Sequence, residues 1–487
     1  MQNFESGGLA LPSVQQARIS RLLLLVVLVG ATVAFIDGIT SRYNDDWEYD
    51  QTESLSYEAG GAVMVFAILT MPLAFQYFRQ RQASSSEALV LCYLLGVTAY
   101  TKDFAYLKIP GIPFYITDYI LAYLIIKCFF WPKFRWYSLR SWPMLSAAAL
   151  LCVGGVAAIR GVAGGQSVIL VLRDFGLVAY VLFLPIGILL VNNWAAVKRV
   201  LLVFCVGSAI LSFHAIGYAA SNPGQRRYIF YPVLLAGAFL ASFAGVQNGI
   251  FERKLGWFLT AVTGFGLLLA NARTEFVAVL GACVLMFLLG PSVRRSSMIN
   301  RLRTLATFVC VAVVLFAVLL QTKSGSAFAS RITDDFLTGV LNPEEDPTAQ
   351  FRFLAWAEAI NRFLQQPILG EGYGIPFTFD NYDSDPRPHN TYLTFLYKTG
   401  AVGFLILTGL LGVFFFKVFV GARRHHRNRN SALPYMIGLA LVAVSATGLF
   451  TFVFESPFVS APYWLLVAAG YRSLNLLGSK VTVGQTA

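Results

Sequence analysis

The sequence predicts an all-α polytopic membrane protein with about 14 transmembrane helices. Three observations carry this. Of 487 residues, 57% are hydrophobic and only 13% are charged, about half the roughly 25% charged content of an ordinary soluble chain. Apolar runs of about 20 residues recur, each long enough to cross a bilayer core as a helix. Basic clusters separate the runs at alternate gaps.

In chain order the candidate spans lie near 22–38, 59–77, 87–101, 113–131, 142–159, 168–191, 200–219, 229–246, 256–270, 274–290, 304–321, 392–420, 433–454 and 458–475. The run at 256–270 is short for a full crossing and would tilt or pack inside the bundle. These runs divide the chain into an N-terminal cytoplasmic tail (1–20), spans 1–11 (21–321), a long extracytoplasmic loop (322–391), spans 12–14 (392–475) and a cytoplasmic tail (476–487). No small-x-small cleavage site follows Ile36-Asp37-Gly38, so the first helix is expected to be retained.

Orientation follows the positive-inside rule. With the N-terminus in the cytoplasm, the cytoplasmic loops read "RQRQ" (79–82), "KFRWYSLR" (133–140), "VKR" (197–199), "ERK" (252–254), "RRSSMINRLR" (294–303) and "RRHHRNR" (423–429). Every one is basic, and His425 and His426 merely add to the last. The first opposite loop, "NDDWEYDQTESLSYE" (44–58), is acidic. The net charge of +12 is therefore assigned to cytoplasmic loops and not to nucleic-acid binding. Cys92, Cys128, Cys152, Cys205, Cys283 and Cys310 all lie in apolar runs without a CxxC pair, which marks them as small buried residues and not metal ligands.

One extracytoplasmic connection, from about Gln321 to His389, is far longer than ordinary loops. It begins with polar sequence that includes "NPEEDP" (342–347). In "FRFLAWAEAINRFL" (351–364), Phe353, Trp356, Ala357, Ile360 and Leu364 recur at helical spacing, and Pro367 and Gly370 end the pattern. This helix is expected to lie on the membrane surface and cap the bundle. No internal repeat is evident.

The extracytoplasmic side should be poor in basic residues, yet Arg160, Arg173, Arg226, Arg227, Arg273 and Arg352 fall there. A charge inside a span defaults to a functional expectation. For Arg173 the alternative is a partner carboxylate on another helix, because the adjacent Asp174 points about 100° away on an ideal helix. For Arg273 it is a helix-end anchor reaching the headgroups. Arg226 and Arg227 could equally be exposed loop charges. As a set these arginines suggest a cationic pocket whose planar donors suit phosphate. His389 shares that side. Its imidazole fits a general base, with Asn390 to orient the ring or bind a sugar hydroxyl, although a lone histidine at a loop–helix junction is more often structural.

"RFLAWAEAINRFLQQPILGEGYG" followed by "HNTYLTFLYKTGAVGFL" resembles the O-antigen ligase/O-antigen polymerase superfamily of membrane glycosyltransferases. The shared pattern is an Arg and Trp on a helix, a Pro-x-x-Gly-x-Gly turn, then His-Asn-x-x-Leu with Gly-x-x-Gly beyond. Here these are Arg352, Trp356, Pro367, Gly370, Gly372, His389, Asn390, Leu393, Gly400 and Gly403. "ANARTEFVAVL" resembles the family's Thr/Ser-Arg element, with Ala272 before Arg273. "GQRRYIFYPVLLAGAFLA" resembles the segment after an earlier outer loop, with Tyr231-Pro232 in place of the usual Pro-Asn.

The resemblance implies a GT-C-like membrane-embedded fold with surface helices in a long periplasmic loop, set in a bacterial inner membrane. It implies an inverting, metal-independent glycosyltransferase without a cofactor, which moves a glycan from undecaprenyl pyrophosphate to a sugar hydroxyl. Polymerisation of O-antigen, capsule or exopolysaccharide repeat units is the first expectation. Ligation of finished polymer to lipid A-core or protein is the alternative, and a lipid-linked sugar transporter or flippase is the alternative from another class. His389 would be the base. Arg173, Arg273, Arg352, Arg226 and Arg227 would hold the pyrophosphate, and Asn390, Tyr392 and Trp356 would contact or orient substrate. The implied partners are the lipid-linked oligosaccharide donor, a glycan or lipid-linked acceptor, membrane lipids, and a chain-length regulator or other polysaccharide assembly proteins, with no nucleic acid.

Overall fold

The computed structural model describes residues 13–40, 57–108, 115–130, 141–221, 232–270, 273–289, 306, 347–379, 387–425 and 428–478. The described chain is helical throughout, with an antiparallel bridge between Lys108 and Tyr115. Eight helical segments are long and apolar enough to cross a membrane, which makes this an all-α polytopic membrane protein. The helices are α1 (Ser13–Thr40), α2 (Tyr57–Gln80), α3 (Ser85–Ala105), α4 (Ile116–Phe129), α5 (Trp142–Ala163), α6 (Val168–Ala179), α7 (Phe183–Leu190), α8 (Trp194–Ser221), α9 (Pro232–Gln247), α10 (Arg253–Leu269), α11 (Arg273–Leu289), α12 (Pro347–Gln365), α13 (Thr391–Arg424), α14 (Ala432–Thr447) and α15 (Pro457–Gly478).

The candidate span at 304–321 lies outside the described residues, apart from position 306. The run at 168–191 is not one helix. A single 3-10 turn, Tyr180–Leu182, divides α6 from α7. The run at 433–454 is helical only to Thr447. Beyond it the chain folds as an irregular cap before Pro457 starts α15.

Burial follows the apolar pattern. Helix α9 is buried from Pro232 to Gly245, and α3, α8, α14 and α15 are buried along most of their length. The outer helices keep exposed apolar side chains such as Leu28, Ile68, Ile159 and Leu280, as expected of surfaces that face lipid and not water. Cys152 is on such an exposed face, unlike Cys92, Cys128, Cys205 and Cys283, which are buried. Small residues let helices approach closely. A Cβ on Gly38 would lie 2.3 Å from the His214 carbonyl oxygen, and one on Gly217 would lie 2.4 Å from that of Phe35. Beside this crossing, Asp37 of α1 pairs with His214 of α8 at 3.0 Å.

At the basic end, long side chains tie turns together. Arg199 bonds Glu87 at 2.6 Å and the Arg81 carbonyl at 2.9 Å. Arg472 donates to the Val191 carbonyl at 2.8 Å.

The opposite end is organised by a break in α13. Gly400 has φ 68° and ψ −172°, which interrupts the helical ladder. The freed groups bond to the Pro367–Gly374 turn. The Glu371 and Gly372 amides donate to the Tyr397 and Lys398 carbonyls at 2.8 and 3.2 Å, while the Ala401 and Val402 amides donate to the Pro367 and Ile368 carbonyls at 2.8 and 3.3 Å. Arg160 of α5 fastens the same turn, donating to the Leu369 and Gly370 carbonyls at 3.0 and 2.8 Å. Its role here is structural.

Helix α12 packs on α13 through its small residues. The buried side chains are Ala355 and Ala359, in a cluster with Phe377, Phe379 and Tyr397. Phe353, Ile360 and Leu364 of the apolar stripe are exposed. Small alanines permit close packing on α13, and the larger apolar groups are left on the surface.

Gly400→Ala is expected to destabilise the protein strongly, because a Cβ there would meet the Ile368 carbonyl oxygen at 2.2 Å in a left-handed conformation that itself costs about 1–2 kcal/mol. Gly412→Ala in the same helix, where a Cβ has open space, should be neutral or mildly stabilising. Thermal unfolding of the two variants in detergent checks the contrast.

Candidate functional site

The broken helix places Lys398 one turn inside the bundle, next to Asp174 of α6 and Glu371 of the turn. Lys398 Nζ lies 3.2 Å from Asp174 Oδ2 and 2.8 Å from Glu371 Oε1, and donates to the Ile375 carbonyl at 2.6 Å. The Gly374 amide donates to Asp174 at 2.9 Å. Glu371 also faces Arg362 at 3.4 Å, and Arg362 pairs with Glu358 at 2.8 Å one turn back on α12. Burial lowers the Arg362 pKa, but the hydrogen bond it donates to Glu358 and the Glu371 charge outweigh it and raise the net value.

Asp174 is the hub of this network. Besides Lys398 it meets Arg173 at 3.5 Å and Arg387 at 4.0 Å. The alternative reading of Arg173 was a pair with a carboxylate on another helix. The observed partner is its own neighbour, and Asp174 itself reaches across to α13 and to the loop before it. Lys398 is almost wholly enclosed, with 4% of its side chain exposed, whereas Arg387 keeps 18% and Arg173 31%. The lysine is therefore committed to protein partners, while both guanidinium groups can reach a ligand. Arg173, Asp174, Arg387, Lys398 and Glu455 line one small cleft with Thr394 and Tyr397.

His389 stands at the start of α13. Two non-glycine residues with positive φ flank Pro388: Arg387 at 41° and His389 at 48°. Such backbone costs of order 1–3 kcal/mol each and persists only where neighbours enforce it. The neighbours are visible. Trp356 Nε1 donates to the Pro388 carbonyl at 2.8 Å. Asn390 caps α13, its side-chain oxygen accepting from the Tyr392 and Leu393 amides, both at 3.0 Å. The Tyr392 hydroxyl donates to the Ser445 carbonyl at 2.9 Å. The imidazole packs against Phe452 with ring centroids 4.5 Å apart and against Phe351 at 5.7 Å, while Arg387 lies over the Phe452 ring at 5.9 Å.

Trp356, Asn390 and Tyr392 thus hold the Arg387–His389 turn in place. Burial first, and then the charges of Arg352 and Arg387, lower the His389 pKa to about 4. The ring is neutral at pH 7 and its nitrogen lone pair is free to accept a proton. Half-buried Arg352 on α12 joins the site through this field.

Arg173, Arg352, Trp356, His389, Asn390 and Tyr392 converge at one end of the bundle. Arg226 and Arg227 lie outside the described residues, as does the Arg273 side chain at the start of α11. Sequence reasoning did not single out Arg387, Lys398, Glu371 or Glu455. Lys398 carried a usable signal, since a lysine inside an apolar helix demands a partner. Glu455, an isolated acid between the last two spans, carried a weaker one.

Replacing one member of a buried ion network while leaving its partners charged costs about 3–5 kcal/mol. Asp174→Asn, which leaves three cations around a neutral amide, should destabilise on that scale, and Lys398→Met should cost less because each freed carboxylate keeps an arginine. Unfolding midpoints in detergent compare the two; equal midpoints would remove Asp174 from the hub position. His389 predicts a pH effect. Its folded pKa lies below the unfolded value, so the unfolded chain binds the extra proton as pH falls from 6.5 to 4. Wild type should lose stability relative to His389→Asn across that window and show no relative change above it.

Residues 258–408 match a family model described as O-Antigen ligase. The match runs from α10 to the first half of α13 and takes in α12, the Pro367–Gly374 turn and His389, while Asp174 and Glu455 reach the site from outside it. No curated protein matches the chain. Residues 258–408, set in this helical membrane bundle, are therefore similar to the O-antigen ligase/polymerase superfamily of membrane glycosyltransferases.

Proposed function

We propose that the protein transfers a glycan from an undecaprenyl-pyrophosphate carrier to a sugar hydroxyl, as an inverting and metal-independent enzyme that polymerises O-antigen, capsule or exopolysaccharide repeat units. The site opens toward the periplasm from the bacterial inner membrane. The observation that carries the reading is a neutral His389 beside Arg387, which shares Asp174 with Arg173, both arginines staying partly exposed.

The division of labour follows from charge. Arg173 and Arg387 bind the pyrophosphate, with Arg352 adding field and Arg273, Arg226 and Arg227 contributing from the adjoining segments. Guanidinium donors match phosphate oxygens in pairs. His389 takes the proton of the acceptor hydroxyl as that oxygen attacks the anomeric carbon. The bond from that carbon to the pyrophosphate oxygen breaks, and its electron pair leaves with the pyrophosphate, where the arginines stabilise it. One displacement inverts the anomeric centre. An anion bound by Arg352 and Arg387 cancels the charges that help hold the His389 pKa down, so the ring becomes a stronger base once the donor is seated. Positioning supplies much of the remaining acceleration.

A second reading, transfer of finished polymer to lipid A-core or protein, is favoured by the description of the matching family model. It uses the same donor chemistry and differs in acceptor.

His389→Ala should abolish transfer by purified enzyme while unfolding and membrane insertion stay normal; polymer made at the wild-type rate would remove the base assignment. Arg387→Ala and Arg273→Ala should weaken donor use. Gel analysis of glycans from a deletion strain separates the two readings. Single repeats without long chains indicate a polymerase, and intact polymer retained on the carrier lipid indicates a ligase.

A further inference from the structure

Two carboxylates, Asp174 and Glu455, line the cleft, and Glu371 adjoins it through Lys398; Asp174 and Glu371 are engaged by cations. Asp174 faces Lys398, Arg173 and Arg387, and Glu371 faces Lys398 and Arg362. Glu455 differs. Both of its carboxylate oxygens are closed to solvent, and neither has a hydrogen-bond partner among the described residues. The Thr394 hydroxyl lies beside it, but its proton is donated to the Asn390 carbonyl at 3.0 Å. Buried carboxylates ordinarily accept several hydrogen bonds, because losing hydration without replacement is costly. The Glu455 oxygens on the cleft wall can therefore accept hydrogen bonds from donors outside the chain.

The surrounding charges define what those donors belong to. Glu455 lines the same cleft as Arg173 and Arg387. Guanidinium groups donate only, so they suit the anionic part of a ligand and cannot accept the protons of its hydroxyls. A carboxylate accepts only, so it takes hydroxyls and repels phosphate. A ligand that satisfies both walls therefore carries an anion next to neutral O–H donors. Burial drives the Glu455 pKa up to about 7, and Arg387 limits the rise, so the acceptor form is present at neutral pH.

The loop that bears Glu455 is fixed to the rest of the site. Thr391 accepts from the Val453 amide at 2.8 Å and donates to the Thr451 carbonyl at 3.2 Å. The Thr391 amide donates to the Gly448 carbonyl at 2.9 Å. Phe452 of this loop packs on the His389 ring. The loop therefore sets Glu455 and the His389 wall in a fixed relation around Arg387.

We propose that Glu455 is a sugar-binding residue of this cleft, whose carboxylate accepts hydrogen bonds from a substrate sugar hydroxyl next to the pyrophosphate. This rests on the glycan-transfer reading above. The hydroxyl comes either from the first sugar of the donor or from the attacking sugar of the acceptor.

The test compares Glu455→Gln and Glu455→Ala with wild type in detergent-purified enzyme. Steady-state KM is measured separately for a lipid-linked oligosaccharide donor and for the acceptor, and binding of sugar-free undecaprenyl pyrophosphate is measured directly. The glutamine variant keeps size and shape, and only a variant whose unfolding midpoint matches wild type is scored. The expected result is a rise of at least about tenfold in one KM, the effect of losing a hydrogen bond to a charged group, with unchanged binding of the sugar-free lipid. A rise confined to the donor places its first sugar on Glu455, and a rise confined to the acceptor places the attacking sugar there. Unchanged KM for both substrates in a folded variant overturns the proposal, even if kcat falls. Failure of wild type to bind sugar-free undecaprenyl pyrophosphate counts against the pyrophosphate reading, and the two KM values still decide the role of Glu455.

Discussion

The break of α13 at Gly400 is the constraint on which this end of the molecule depends. A continuous helix would satisfy its own carbonyls and amides and would offer nothing to the loop beside it. With the ladder interrupted, the Tyr397 and Lys398 carbonyls and the Ala401 and Val402 amides need partners inside an apolar bundle, where unsatisfied backbone groups cost several kcal/mol. The Pro367–Gly374 turn supplies them. The exchange is reciprocal, so neither segment can take its conformation without the other. Lys398 and Glu371 are brought together as a result, and the ion network with Asp174 follows.

From that junction the charge pattern of the site can be reasoned outward. Asp174 and Glu371 balance the enclosed lysine and temper the arginines. An unbalanced cluster of cations at this depth would repel itself, and a fully balanced one would not attract an anion. The observed arrangement lies between these limits. Lys398 is sealed in by protein partners, while Arg173 and Arg387 retain open faces. Burial first, and then Arg352 and Arg387, lower the His389 pKa. On the proposed glycan-transfer reading, an anion bound at those two arginines would link donor binding to the strength of the base.

Residues that look like substrate ligands in the sequence do much of their work on the backbone. Trp356, Asn390 and Tyr392 each spend a polar group on a peptide carbonyl or amide. Together they hold Arg387 and His389 in left-handed conformations that an unsupported turn would abandon. Strain stored this way fixes Arg387 in the cleft and His389 beside it, both against Phe452, and it accounts for the tryptophan on one helix and the tyrosine on another that accompany the histidine.

The sequence alone determined the fold class and the helical pattern at 351–364, and it singled out His389, Arg173 and Arg352. It could do so because hydropathy and charge bias are summed over 20 residues at a time and survive any detail of packing. Tertiary structure decided what depends on a single contact. It decided that Arg173 pairs with its own neighbour, because Asp174 is drawn toward Lys398 and Arg387. It turned the small alanine face of α12 inward, because close approach to α13 excludes larger side chains. It also brought Lys398 and Glu455, from a helix interior and a distant loop, into one cleft, with Glu371 of the turn against the lysine. Nothing local in the sequence records that meeting, because the backbone groups freed at Gly400 find their partners about 30 residues earlier in the chain.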